Sequence, residues 1–119
     1  VNDLCTLAHS IGFFSCTITT NAQKDFSGSS ADSIWVSMDG IGKYHDAVRG
    51  KGAFERLEKN VAACGHPALS ANMALNVLNV DDVAEVIEYV KNSPYFKMLS
   101  LNFHTPFPIF ATRDKRILR

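Results

Sequence analysis

The sequence predicts an α/β fold in which strands and helices alternate around a parallel sheet, and three observations carry that reading. First, short runs of period-two alternation recur four times, separated by helically spaced stretches or by loop. Alternation of that order builds βαβ units. Second, each strand is apolar on one face only. The other face carries Ser, Thr, Asn, Asp and His, gathered towards the strand C-termini. A parallel strand buried on both faces would read as a near-continuous apolar run instead. Third, buried polar groups need partners. A partial barrel whose lumen holds a polar ligand supplies them, whereas a barrel packed with Val, Ile and Leu has no use for them.

Taken in order, Asp3 can cap a helix whose Leu4, Leu7, Ala8 and Ile11 recur at helical spacing before Gly12. Residues 13–21 alternate, with Phe14, Cys16 and Ile18 opposite Ser15, Thr17, Thr19 and Asn21, and read as a strand. Residues 23–33, with Ser27-Gly28-Ser29-Ser30, read as loop. The second strand is 34–39: Ile34, Val36 and Met38 share one face, and Trp35, Ser37 and Asp39 the other. A short irregular or helical piece, 44–48, precedes an amphipathic helix over 53–64 (Phe54, Leu57, Val61, Cys64), ended by Gly65 and Pro67. The third strand, 69–75, sets Leu69, Ala71, Met73 and Leu75 against Ser70, Asn72, Ala74 and Asn76. Residues 79–82 start a helix with their acids at its positive end, and Val83, Val86, Ile87 and Val90 form its apolar stripe. The fourth strand, 98–104, sets Leu99, Leu101 and Phe103 against Ser100, Asn102 and His104; the basic stretch 108–119 has no assignment.

Composition bounds the function. The 119 residues suffice for one domain at most, and 46% hydrophobic content allows a real core. Twelve basic against twelve acidic side chains argue against a nucleic-acid or anionic-membrane surface. No apolar run is long enough to span a membrane. Three cysteines, Cys5, Cys16 and Cys64, are odd in number and widely spaced, so reduced, cytoplasmic thiols packed as small apolar groups are expected. The chain opens with Val1 inside a helical pattern, which reads as a piece of a longer protein.

Each candidate residue has a functional and a structural explanation. Ser37 and Asp39, two apart on one strand face, can hold a ribose diol or an ammonium, or can form an Asp-Gly turn. Thr19, Thr20 and Asn21 can line a ligand or cap the loop that follows. Asn72, mid-strand on the polar face, must be satisfied by a neighbour or by a ligand. Asn102 and His104 can act as substrate contacts, or His104 can be structural. Arg49 can meet a carboxylate ligand or pair with Asp46 at i, i+3. His9 and His66 read as surface residues.

Taken together, TTNA (19–22), VSMDGIGKYHDAVRGKGAFERLEKNV (36–61), SANMALN (70–76) and SLNFHTPF (100–107) resemble the middle of a radical S-adenosylmethionine enzyme. The pattern there is a strand ending TTNG, a strand ending S-[IL]-D-G, an H-D-x-x-R-G stretch, an F-E-x-x-x-x-N-[IV] helix, and a strand carrying Asn. The second piece is the specific one, because residues of different chemistry keep their spacing over twenty-odd positions. The resemblance covers about residues 3–107 and implies part of a (β/α)6 partial TIM barrel, binding S-adenosylmethionine and a [4Fe-4S] cluster. It implies reductive cleavage to a 5′-deoxyadenosyl radical that abstracts hydrogen from a substrate. Carried over by position, Thr19, Thr20 and Asn21 would lie along the adenosylmethionine. Ser37 and Asp39 would contact its ribose or methionyl part, Asn72 its ribose, and Arg49 its carboxylate. Asn102 and His104 would face the substrate.

The family's CxxxCxxC motif and Gly-Gly-Glu element are absent from this stretch, and Ala22 stands where Gly is usual. The resemblance therefore implies that the cluster ligands lie on an upstream segment and that this stretch alone is inactive. Residues 1–107 form an incomplete core, and exposed sheet edges are expected. The substrate class, whether peptide, lipid or cofactor precursor, is open. The alternative is a non-catalytic, degenerate βα domain with a ligand- or protein-binding role. A Schiff-base aldolase is disfavoured, since Lys43, Lys51 and Lys97 fall in loops or at a strand start.

Overall fold

A computed structural model describes residues 1–103, so His104 and the 108–119 tail lie outside the described residues. The chain runs through α1 (Asn2–Ser10), β1 (Thr17–Thr20), β2 (Ser33–Ser37), α2 (Lys43–Arg49) and α3 (Ala53–Cys64). It continues through β3 (Leu69–Leu75), a 3₁₀ turn (Val80–Asp82), α4 (Val83–Asn92) and β4 (Phe96–Phe103). All three strand pairings are parallel, in the order β1-β2-β3-β4. A parallel neighbour needs a crossover, and crossovers in one sheet share one hand. Strands laid down in sequence therefore send the crossover helices between β2 and β3 and between β3 and β4 to the same face.

That face is the core. Ile34, Val36 and Met38 from β2 and its end, and Leu69, Ala71 and Met73 from β3, pack with Leu57 and Val61 of α3 and Val86 and Val90 of α4. The opposite face carries the other set in register. Thr17 lies beside Ser33, Thr19 beside Trp35, and Trp35 beside Ser70. Ser37 lies beside Asn72, and Asn72 beside Ser100. The α/β class and the one-sided polarity of the strands both match the sequence expectation.

Three expectations change. The alternation over 13–21 yields only four residues of strand, because Phe13 and Phe14 have no neighbouring strand to pair with among the described residues; Phe14 is 99% exposed. The Leu4, Leu7 and Ile11 stripe of α1 likewise faces solvent, while Cys5 is the one residue of α1 that is buried. Asp3 sits in the first turn of α1 and does not cap it. No helix among the described residues is long and apolar enough to cross a membrane.

Candidate functional site

Strands β1 to β4 and the loops after β1 and β2 carry all but one of the predicted residues among those described, and the structure sorts them into two sets. The first set builds the scaffold. Asp39, just past the end of β2, is 2% exposed. Its Oδ1 accepts the Ala74 N–H of β3 at 3.0 Å and its Oδ2 accepts Nε of Arg49 at 2.5 Å. Its own N–H donates to Nδ1 of His45 at 3.1 Å, and its carbonyl accepts Nδ2 of Asn79 at 2.9 Å. Ser37 and Asp39 therefore do not share an open cavity. The strand ends between them, and the carboxylate closes the loop while the hydroxyl stays on the sheet face.

The neighbours of Asp39 are locked in the same way. Arg49 pairs with Asp39, not with Asp46. Asp46 instead accepts the N–H groups of Gly52 and Phe54 at the start of α3, and those two bonds hold its carboxyl below the usual carboxylate range. Because Nδ1 of His45 accepts a hydrogen bond, the neutral ring carries its proton on Nε2, which is buried with no partner among the described residues. Burial pushes the His45 pKa down, as expected for a group that loses hydration when charged. The Gly40 φ of 150° and its position explain the Asp-Gly step: a Cβ there would sit 2.7 Å from Cβ of Tyr44 and 2.9 Å from the His45 nitrogen.

Thr20 and Asn21 also belong to the scaffold. Oγ1 of Thr20 accepts the Ala22 N–H at 3.1 Å, and Oδ1 of Asn21 accepts the Gln23 N–H at 3.2 Å, which tightens the turn after β1. Ala22 has φ 55° and is fully buried, so this is a left-handed position occupied by a residue with a Cβ. Asn60 of α3 donates to its carbonyl at 2.8 Å. That bond gives the Phe-Glu…Asn spacing a structural cause.

The second set is uncommitted. The hydroxyls of Thr19 and Ser37 and the amide NH₂ of Asn72 have no hydrogen-bond partner among the described residues. Arg49 uses only Nε, and its side chain is 35% exposed, so both terminal nitrogens are free to donate. Oδ1 of Asn72 accepts Nδ2 of Asn102 at 2.5 Å, and the same amide reaches Oγ of Ser100 at 3.2 Å. Asn102 thus positions Asn72, and His104 lies outside the described residues. Trp35, half-buried between Thr19 and Ser70, adds an aromatic surface to the same face.

Sequence reasoning missed three buried polar residues. Asn79 and Asp82 look like a helix start, yet Nδ2 of Asn79 bonds the ends of β2 and β3, and Asp82 accepts the Ile41 N–H. The signal for His45 was its fixed place in the 36–61 stretch, which marks a constraint without saying of what kind. Among the described residues no three Cys, His, Asp or Glu side chains gather to hold a metal. No family model, curated protein or solved structure matches the chain.

Proposed function

We propose that this chain is the central part of a radical S-adenosylmethionine enzyme core and that its open sheet face holds the adenosylmethionine. The observation that carries the reading is the in-register pair of Ser37, at the C-terminal end of β2, and Asn72, midway along β3, both with hydrogen-bonding groups unspent on one face of a sequentially ordered parallel sheet. Ligands of α/β sheets bind at the C-terminal ends of the strands. The Ser37 hydroxyl and Asn72 amide suit the ribose hydroxyls. The terminal nitrogens of Arg49 suit the amino-acid carboxylate, a charge-assisted contact. Thr19 and Trp35 border the adenine end. The adenosylmethionine, given one electron by the cluster, would supply a 5′-deoxyadenosyl radical and release methionine, and the radical would take hydrogen from a substrate, whether peptide, lipid or cofactor precursor, in a reducing cytoplasmic compartment. The described residues do not fit an iron–sulfur cluster, so its ligands would come from another segment of the protein.

Titration calorimetry with S-adenosylmethionine, followed in parallel by fluorescence of Trp35, the sole tryptophan, tests the cradle directly. Saturable binding is expected, weakened at least tenfold by Ser37→Ala with Asn72→Ala while the melting curve stays unchanged. A wild-type chain that shows no saturable binding rejects the cradle. Anaerobic reconstitution of the longer reading frame, assayed for 5′-deoxyadenosine, tests the chemistry. A second reading, a non-catalytic domain that contacts protein, is favoured by the exposed apolar Leu4, Leu7, Ile11, Phe13 and Phe14.

A further inference from the structure

We infer that Cys5 and Cys16 are a redox-responsive pair that closes into a reversible intramolecular disulfide, tying α1 to the entry of β1. Their Sγ atoms lie 3.0 Å apart, although eleven positions separate them in the chain. A disulfide needs about 2.05 Å, so the sulfurs must approach by roughly 1 Å. Both ends of the pair are already held in place. The Cys16 N–H donates to Oδ2 of Asp32 at 2.7 Å, and the Asp32 N–H donates back to the Cys16 carbonyl at 2.8 Å. The same carboxylate meets Nε2 of His9 on α1 at 2.9 Å. At the other end of α1, Asn2 bonds the Gly28 carbonyl and the Ser30 N–H. The backbone therefore presents the two thiols to each other without either sulfur being needed to hold the arrangement.

The two thiols differ in access. Cys5 is 1% exposed and Cys16 is half-buried, so Cys16 meets an oxidant first. With a small-molecule disulfide such as oxidised glutathione, the Cys16 thiolate attacks one sulfur and expels a glutathione thiolate. The Cys5 thiolate then attacks the Cys16 sulfur of that mixed disulfide and expels the second. The protein loses two protons and two electrons, and the oxidant becomes two thiols. Facing the Cys16 sulfur are Cys5 from α1 and Asp32 ahead of β2, with His9 on the far side of Asp32. The hydrogen bond with Cys5, followed by burial and the Asp32 charge, raises the Cys16 pKa, so exchange accelerates as pH rises. Cys64 takes no part: it is buried under α3, with Sγ 3.9 Å from the Phe26 carbonyl.

Equilibration of the folded chain in glutathione redox buffers, acid quenching, alkylation in denaturant and mass analysis reads the outcome. At the oxidising end we expect a species lighter by two hydrogens, one alkylated thiol at Cys64, a linked Cys5–Cys16 peptide, and full reversal by a dithiol. Cys5→Ser should instead trap a glutathione adduct on Cys16. Should that variant fail to fold, Cys64→Ser serves, and must still lose two hydrogens. Three alkylated thiols at the oxidising end, or a linkage that includes Cys64, overturns the inference.

Discussion

Asp39 joins three stretches of chain through one carboxylate and its own backbone, and that role decides what its replacement does. Asp39→Asn keeps an acceptor for Ala74 but turns an amide towards Nε of Arg49. Removing one partner of a buried pair costs about 3–5 kcal/mol; the partial exposure of Arg49 puts this case at about 2–3 kcal/mol. Urea denaturation should show a lower midpoint at unchanged slope, and a loss below about 0.5 kcal/mol would remove Asp39 from the scaffold. His45 gives a pH signature. Its pKa is lowered from 6.5 by burial, so below that value the unfolded chain takes up a proton that the folded chain refuses. Stability should therefore fall as pH drops from about 6.5 towards the folded pKa, and be unaffected by His45 well above about 6.5. His45→Gln keeps an acceptor for the Asp39 N–H and cannot titrate, so its denaturation midpoints should fall less steeply between pH 7.5 and pH 5. Identical slopes in the two proteins would exclude His45 as the source. None of this was visible from the spacing of Ser37 and Asp39 alone, because the Ala74 N–H is thirty-five positions away.

At the scale of elements, legibility followed how local the cause was. The limits of β3 and α3 match the expected 69–75 and 53–64: seven alternating residues define the first, and glycines at positions 52 and 65 flank the second. The length of β1 was not legible, since a strand lasts only as long as it has a neighbour to pair with, and pairing is a long-range fact. The turn after β1 reads from its residues as ligand contacts or as a loop cap, because Thr, Thr and Asn serve either purpose; the Asn60 amide, thirty-eight positions from Ala22, docks the turn onto α3. Asn60→Ala removes the donor to a buried carbonyl, which should cost about 1–2 kcal/mol. Hydrogen exchange should speed up at Ala22 and Gln23 more than in the centre of α3. Uniform acceleration would mean that Asn60 serves α3 as a whole and not the turn. Ala22 itself illustrates how small terms offset. A left-handed alanine costs about 1–2 kcal/mol. Burying its methyl returns about 0.8 kcal/mol, and the lower backbone entropy of alanine than glycine in the unfolded chain returns about 0.5–1 kcal/mol.

For the whole molecule, sequential strand order and one-sided helices leave two kinds of surface without cover among the described residues. The polar sheet face is the cradle proposed for a ligand. The outer edge of β1 is different: among the described residues it offers backbone groups with no neighbouring strand, α1 adds an exposed apolar stripe, and edges of that kind are templates for association. Thr17 and Thr19, both exposed, put no charge on that edge to deter a second strand. Zero net charge adds no long-range repulsion between copies. The chain is therefore expected to self-associate with rising concentration, seen in sedimentation velocity as a shift to heavier species. Placing lysine at Leu7 and Phe14, which are 55% and 99% exposed, removes little buried area and should return the protein to a monomer without altering its circular dichroism. A wild-type chain that stays monomeric at every concentration would show that the exposed stripe and edge are too small or too polar to hold a partner. Association that survives both lysines would move the contact to another surface.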